Sequence, residues 1–267
     1  MNKLSNPDNQ KLALRIVLGF IFSISGYKIA FPADVAALAT SYADPAKGWI
    51  DPFFSGAIID VLRIDVGTYL YYQGVVEMIF GVMVLLGLFT PVAATIMGLI
   101  YYAIVAANPV IGEIRLSRDL TLMAFSFAAA YYGAGKYSLD AKLKTGYLRE
   151  GKQEWFSFLL RFGLGYTLVI SSIFFWGPMA NMLNTTLPLI LVFILGAMLM
   201  LNIQTKWAAA AVAAWLAFAI IGKMGDSSSV FKALDGTKRE IAFLVSAVLL
   251  YAMKGDRILT HKTCKKK

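Results

Sequence analysis

Several runs of this chain stay apolar for the full length of a membrane crossing, and that limits the fold more than any other feature. LALRIVLGFIFSISGY (12–27), PVAATIMGLIYYAIVAA (91–107) and AAAAVAAWLAFAIIG (208–222) carry almost no charge. A helix needs about 20 largely apolar residues to cross roughly 30 Å of hydrocarbon, and such helices satisfy their own backbone polar groups there. With 58% hydrophobic and 15% charged residues, the chain lies far from the balance of a soluble domain. The expected fold is an all-α membrane protein in the lipid bilayer. About eight transmembrane helices are expected, near 12–31, 69–89, 91–108, 119–134, 155–177, 187–203, 207–222 and 239–253.

The formal charge of +9 reports orientation in such a chain rather than a nucleic-acid partner. Basic residues crowd three segments: Lys3 and Lys11; Lys136, Lys142, Lys144, Arg149 and Lys152; and Lys254, Arg257 and the tail from Lys262 to Lys267. These belong in the cytoplasm. Segment 32–68 carries Asp34, Asp44, Asp51, Asp60 and Asp65 against Lys47 and Arg63, and fits the outside. Both termini are therefore expected to be cytoplasmic. The single cysteine, Cys264, and the single histidine, His261, sit in the basic tail. Neither a disulfide framework nor a haem or metal site of His or Cys ligands is expected within the membrane. Lys11 and Arg15 ahead of an apolar stretch imitate a signal peptide, but the repeat described next argues that the segment is retained.

RIVLGFIFSIS (15–25) aligns with RFGLGYTLVIS (161–171), and GLFTPVAATIMG (87–98) with NIQTKWAAAAVA (202–213). SRDLTLMAFSFAAAYYGAGKYSLD (117–140) aligns with KREIAFLVSAVLLYAMKGDRILT (238–260). The chain thus reads as two tandem four-helix bundles, a first unit over 1–150 and a second, degenerate unit with its tail over 151–267. An even number of crossings gives both units one orientation, related by a pseudo-twofold along the membrane normal. In the turns between helices, Thr90 and Thr205 are expected N-caps, with Pro91 at the first helical position. Within 32–68, Ile58, Ile59, Leu62 and Val66 could share one face of a short interfacial helix; an ordinary interfacial loop is favoured there over a lid.

The polar residues of the first unit converge. Lys28 ends the first span on the outer side, Glu77 lies about 12 Å along the second, and Arg118 and Asp119 open the fourth. That fourth span is only roughly 24 Å long before Lys136, and a segment that short draws its flanking charges inward, thins the bilayer or leaves them to snorkel. An unpaired ion at mid-bilayer costs about 2.5–3.5 kcal/mol on insertion scales, so Glu77 should face Lys28 or Arg118. Such a set either fixes helix register as a buried ion network or forms a ligand or reaction site. Tyr72 and Gln73, with Tyr69 and Tyr71, flank the entrance as supporting groups or as an aromatic belt. Met78, Met83, Met97 and Met123 read as packing. The second unit places Phe174 and a position near Val192 where the first has Lys28 and Glu77, keeping only Arg239-Glu240. The first unit is therefore expected to carry function and the second to be scaffold.

Arg15, SGYK (25–28), Glu77 and GAGKYSLD (133–140), in this order over residues 12–141, resemble the DoxX family of DoxX/DoxD-like integral membrane proteins. That resemblance implies the membrane subunit of a thiosulfate:quinone oxidoreductase in a bacterial or archaeal cytoplasmic (inner) membrane, working with a DoxA-like partner. It implies a small sulfur anion such as thiosulfate as substrate, oxidised at the outer face, with quinone as electron acceptor. Lys28 and Arg118 would bind the dianion and Glu77 would take or give a proton; Lys28 and Glu77 are the candidate catalytic pair. Arg118, Asp119, Tyr72 and Gln73 are the candidate substrate-binding residues. Two alternatives remain open: a non-catalytic accessory or assembly subunit of a membrane complex, and a carrier of a small anion or proton.

Overall fold

In a computed structural model, which describes residues 5–43, 55–107, 115–145, 151–173, 186–225 and 230–253, every expected span falls on a helix. These are α1 (Pro7–Ala30), α4 (Val66–Leu86), α5 (Thr90–Ala107), α6 (Arg115–Tyr132), α8 (Gln153–Ile173), α9 (Thr186–Met200), α10 (Thr205–Gly225) and α11 (Val230–Ala252). Three shorter helices, α2 (Val35–Ala43), α3 (Ser55–Leu62) and α7 (Leu139–Leu143), lie between them, and the described residues contain no strand. By length and composition α1, α4, α8 and α10 can each cross a membrane, so the chain reads as a multi-pass helical membrane protein. The basic tail with His261 and Cys264 lies outside the described residues.

Helix pairing follows one pattern twice. Among the described residues, α1, α4, α5 and α6 pack in sequence and α6 returns to α1; α8, α9, α10 and α11 do the same. The two rings meet where α6 packs on α8 and α11 on α1, so α1, α6, α8 and α11 form an inner square. One apolar core, running from Leu18 and Phe22 through Leu122 and Phe125 to Leu164 and Phe243, fills both halves. At the α6–α8 seam the Thr121 hydroxyl donates to the Gly163 carbonyl at 2.7 Å and also contacts the Thr167 hydroxyl. Such bonds join helices in a medium where lipid competes equally for apolar surface.

Glycine sets the tightest helix contacts. A Cβ on Gly26 of α1 would stand 2.4 Å from the Met78 nitrogen and 2.5 Å from the Gly74 carbonyl of α4. A Cβ on Gly74 would meet Ala30 at 2.4 Å. Backbones this close gain dispersion contacts along the whole seam, as small residues allow in membrane helices. The second half repeats the device, since Cβ atoms on Gly165 and Gly196 would each meet the other's carbonyl, at 2.7 and 2.8 Å.

The two tight turns also match in backbone. Gly87 and Asn202 are left-handed, as are Phe89 and Gln204 two residues later. Leu88 and Ile203 donate to Met83 and Met198. The cap positions are Phe89 and Gln204, whose carbonyls accept from the first turns of α5 and α10. Thr90 and Thr205 therefore stand one residue inside the helix and are not its caps, correcting the sequence reading. The α5 N-terminus is capped across the chain by Asp140, which accepts from the Phe89 and Thr90 amides at 2.9 and 3.1 Å. Anions are favoured at a helix N-terminus. The reach is fixed by GAGKYSLD: Ser138 caps α7 by accepting from Ala141, and the Asp140 amide donates to Gly87. Buried Arg15 donates to the Tyr137 carbonyl at 2.8 Å and lies within electrostatic reach of Asp140. Lys11 covers the Tyr132 ring at 4.9 Å.

Two outcomes follow. Asp140→Ala should lower stability by about 3 kcal/mol, because it strips two amides and leaves the Arg15 charge buried, with Asp140→Asn recovering part of the loss. Gly26→Val should force α1 from α4 and cost about 1–3 kcal/mol or more, against a small effect at Gly222, which has open space around it. Thermal unfolding in detergent measures both.

Candidate functional site

The buried residues of α4 are Leu70, Gly74, Glu77, Gly81 and Val84, alternating by four and three positions. That spacing is one helical face, and it is the face glycine presses against α1. Glu77 is therefore carried inside by its neighbours and is 2% exposed. The SGYK stretch works in the same way: Gly26 faces α4, while Ser25 and Lys28, three residues apart, turn into the space beside Glu77.

That space is a cavity of about 230 Å³, lined by polar groups from six helices. Ser25 and Lys28 come from α1, Tyr42 from α2, Gln73 and Glu77 from α4, Tyr101 from α5 and Asp119 from α6. Lys238 and Arg239 of α11 complete it. Gln73 donates its amide to Glu77 Oε1 at 3.0 Å, holding the carboxylate in one orientation. Asp119 is 3% exposed and is the foremost opposing charge acting on Arg239. Lys28 is exposed where the cavity reaches the protein surface. A buried carboxylate is tolerable only with such partners, since an unpaired ion would be costly.

Of the sequence candidates, Lys28, Gln73, Glu77 and Asp119 are brought together. Tyr72 is not among them: it is 58% exposed and lines a neighbouring cavity of about 300 Å³ between α1, α2 and α4. The Arg118 side chain lies outside the described residues. The guanidinium lining the cavity belongs to Arg239, in the half expected to be scaffold. Segment 32–68 also differs from the favoured loop, because Leu38 and Tyr42 of α2 form one wall of the site. Of the four apolar residues placed on one interfacial helix, Ile58, Ile59 and Leu62 lie on α3, whereas Val66 starts α4 after a left-handed Arg63.

Sequence reasoning missed Ser25, Tyr42, Tyr101, Lys238 and Arg239. Lys238 and Arg239 were detectable as polar residues at the head of a span, but nothing in their own helix says that it packs on α1. Outside the spans, Asp65 caps α4 by accepting from the Thr68 amide and hydroxyl, at 3.0 and 2.6 Å, and these bonds hold its carboxyl below the usual range.

The register of the second half agrees with its loss of charge. Gly19 approaches Gly81 and Leu85, and Gly165 approaches Gly196 and Met200 at the same four-residue spacing. One turn before Gly196 stands Val192, 5% exposed, in the place Glu77 holds before Gly81.

A double-mutant cycle of Asp119→Asn and Arg239→Gln should return a coupling of about 1–3 kcal/mol in thermal unfolding, whereas Asp119 with Lys136 should return none. No protein-family model matches the chain, and neither a curated protein nor a solved structure matches it.

Proposed function

We propose that this protein is a DoxX/DoxD-type membrane subunit of a quinone-linked oxidoreductase, with a small sulfur anion such as thiosulfate as substrate. The observation that carries the reading is three cationic side chains, Lys28, Lys238 and Arg239, lining one small cavity with the buried carboxylate of Glu77. At roughly 30 Å³ per water, 230 Å³ accommodates one small oxyanion and a few waters. On this reading there are eight spans, both termini face the cytoplasm, and the cavity opens at the outer face, at the end of α1 opposite Lys11 and the basic 136–144 segment.

Lys28, Lys238 and Arg239 bind and orient the anion through charge-assisted hydrogen bonds. Gln73 fixes Glu77, which takes or gives a proton at its free oxygen. The neighbouring cavity of about 300 Å³, walled by Val35, Leu38, Leu70, Tyr71 and Tyr72, has the apolar and aromatic lining that suits a quinone ring. A quinone held there would supply a two-electron, two-proton acceptor. The two cavities share Ile29 and Leu38 in their linings, so they lie side by side. A DoxA-like partner would complete the complex on the outer side.

Purified protein, with its partner, should reduce a soluble quinone in a thiosulfate-dependent manner. Glu77→Gln and Lys28→Met should each lower that rate by about 100-fold or more while the protein stays folded. If each variant is unstable and the double variant regains stability, the cluster fixes helix register and the accessory-subunit reading takes its place.

A further inference from the structure

We propose that the cavity binds its dianion together with one proton, and that Glu77 is the group that receives it. This rests on the anion-site reading above and adds a proton stoichiometry to it. The groups facing Glu77 are Lys28 from α1, Tyr42 from α2, Gln73 on its own helix, Tyr101 from α5, Asp119 from α6, and Lys238 and Arg239 from α11.

Among the described residues, three cations against two carboxylates give the cavity lining a single surplus positive charge. A dianion turns that surplus into a deficit of the same size, in a space walled by apolar helices. It also draws the cations toward itself and away from the carboxylates. A buried carboxylate that loses its compensating charge favours its protonated form. One proton restores neutrality.

Of the two carboxylates, Glu77 is the receiver. Asp119 is the foremost opposing charge acting on Arg239, whereas Glu77 is held by a hydrogen bond from the neutral amide of Gln73. That bond occupies Oε1 and leaves Oε2 as the site of protonation. The proton comes from water at the mouth of the cavity beside Lys28. A monoanion such as chloride would only neutralise the surplus charge and should bind with no proton.

Isothermal titration calorimetry of the purified full chain with sodium thiosulfate, and separately with sulfate, tests this in buffers of different ionisation enthalpy at one pH. The expected result is uptake of about one proton per dianion, with affinity weakening as pH rises, by up to about tenfold per unit. Glu77→Gln should retain dianion binding but lose both the proton uptake and the pH dependence. Asp119→Asn, which also removes one negative charge, should by the same count bind the dianion without proton uptake. Dianion binding by the wild-type chain with no buffer dependence overturns the proposal and leaves the anion site standing. Uptake that survives in Glu77→Gln overturns the assignment. Absence of dianion binding removes both this inference and the reading beneath it. The wild-type buffer series decides the stoichiometry even if a variant fails to fold.

Discussion

The backbone contact between α1 and α4 is the constraint on which the rest of the structure depends. Gly26 and Gly74 let the helices approach so closely that no Cβ fits between them. Once that face is fixed, the positions sharing it have no freedom to turn outward, and Glu77 is one of them. A charge normally resists burial, but here the dispersion gained along a whole helix seam outweighs the preference of one side chain. The surrounding cations then follow from necessity, because the carboxylate must be compensated where it stands.

Compensation comes from beyond the local bundle. Asp119 brings a second negative charge, and Lys238 and Arg239 reach in from the last helix, so the site spans both halves of the chain. At the other end of α1, Arg15 and Asp140 tie the α4–α5 turn to the 133–140 segment. The two polar clusters differ in kind. The Arg15 cluster is packed solid, with a Cβ on Gly87 clashing directly with the Arg15 guanidinium, whereas the Glu77 cluster encloses space. Space bounded by charge is what separates a binding site from a structural lock.

Much of the helix inventory was legible because a membrane crossing leaves a long apolar record. The boundaries were less so: α11 begins at Val230, nine residues before the span read from hydropathy, because backbone hydrogen bonding continues through polar residues at the interface. Asp140 as the cap of α5 was hidden because its partner amides lie fifty residues away. Glu77, Lys28, Gln73 and Asp119 stood out as polar residues in or beside apolar spans. The packing of α11 on α1 leaves no mark in either helix, so Lys238 and Arg239 were read as belonging elsewhere. The glycine spacing on α4 was present in the sequence and would have fixed which face Glu77 occupies.

On the duplication reading, the crossing of α11 onto α1 has an ancestral meaning. Two identical four-helix chains, docked as the halves are docked now, would have formed a dimer with a pair of equivalent chambers. Each chamber would have borrowed its arginine from the neighbouring copy. On that reading, fusion into one polypeptide would have released one chamber from that duty, with valine at position 192 standing where its acid had been.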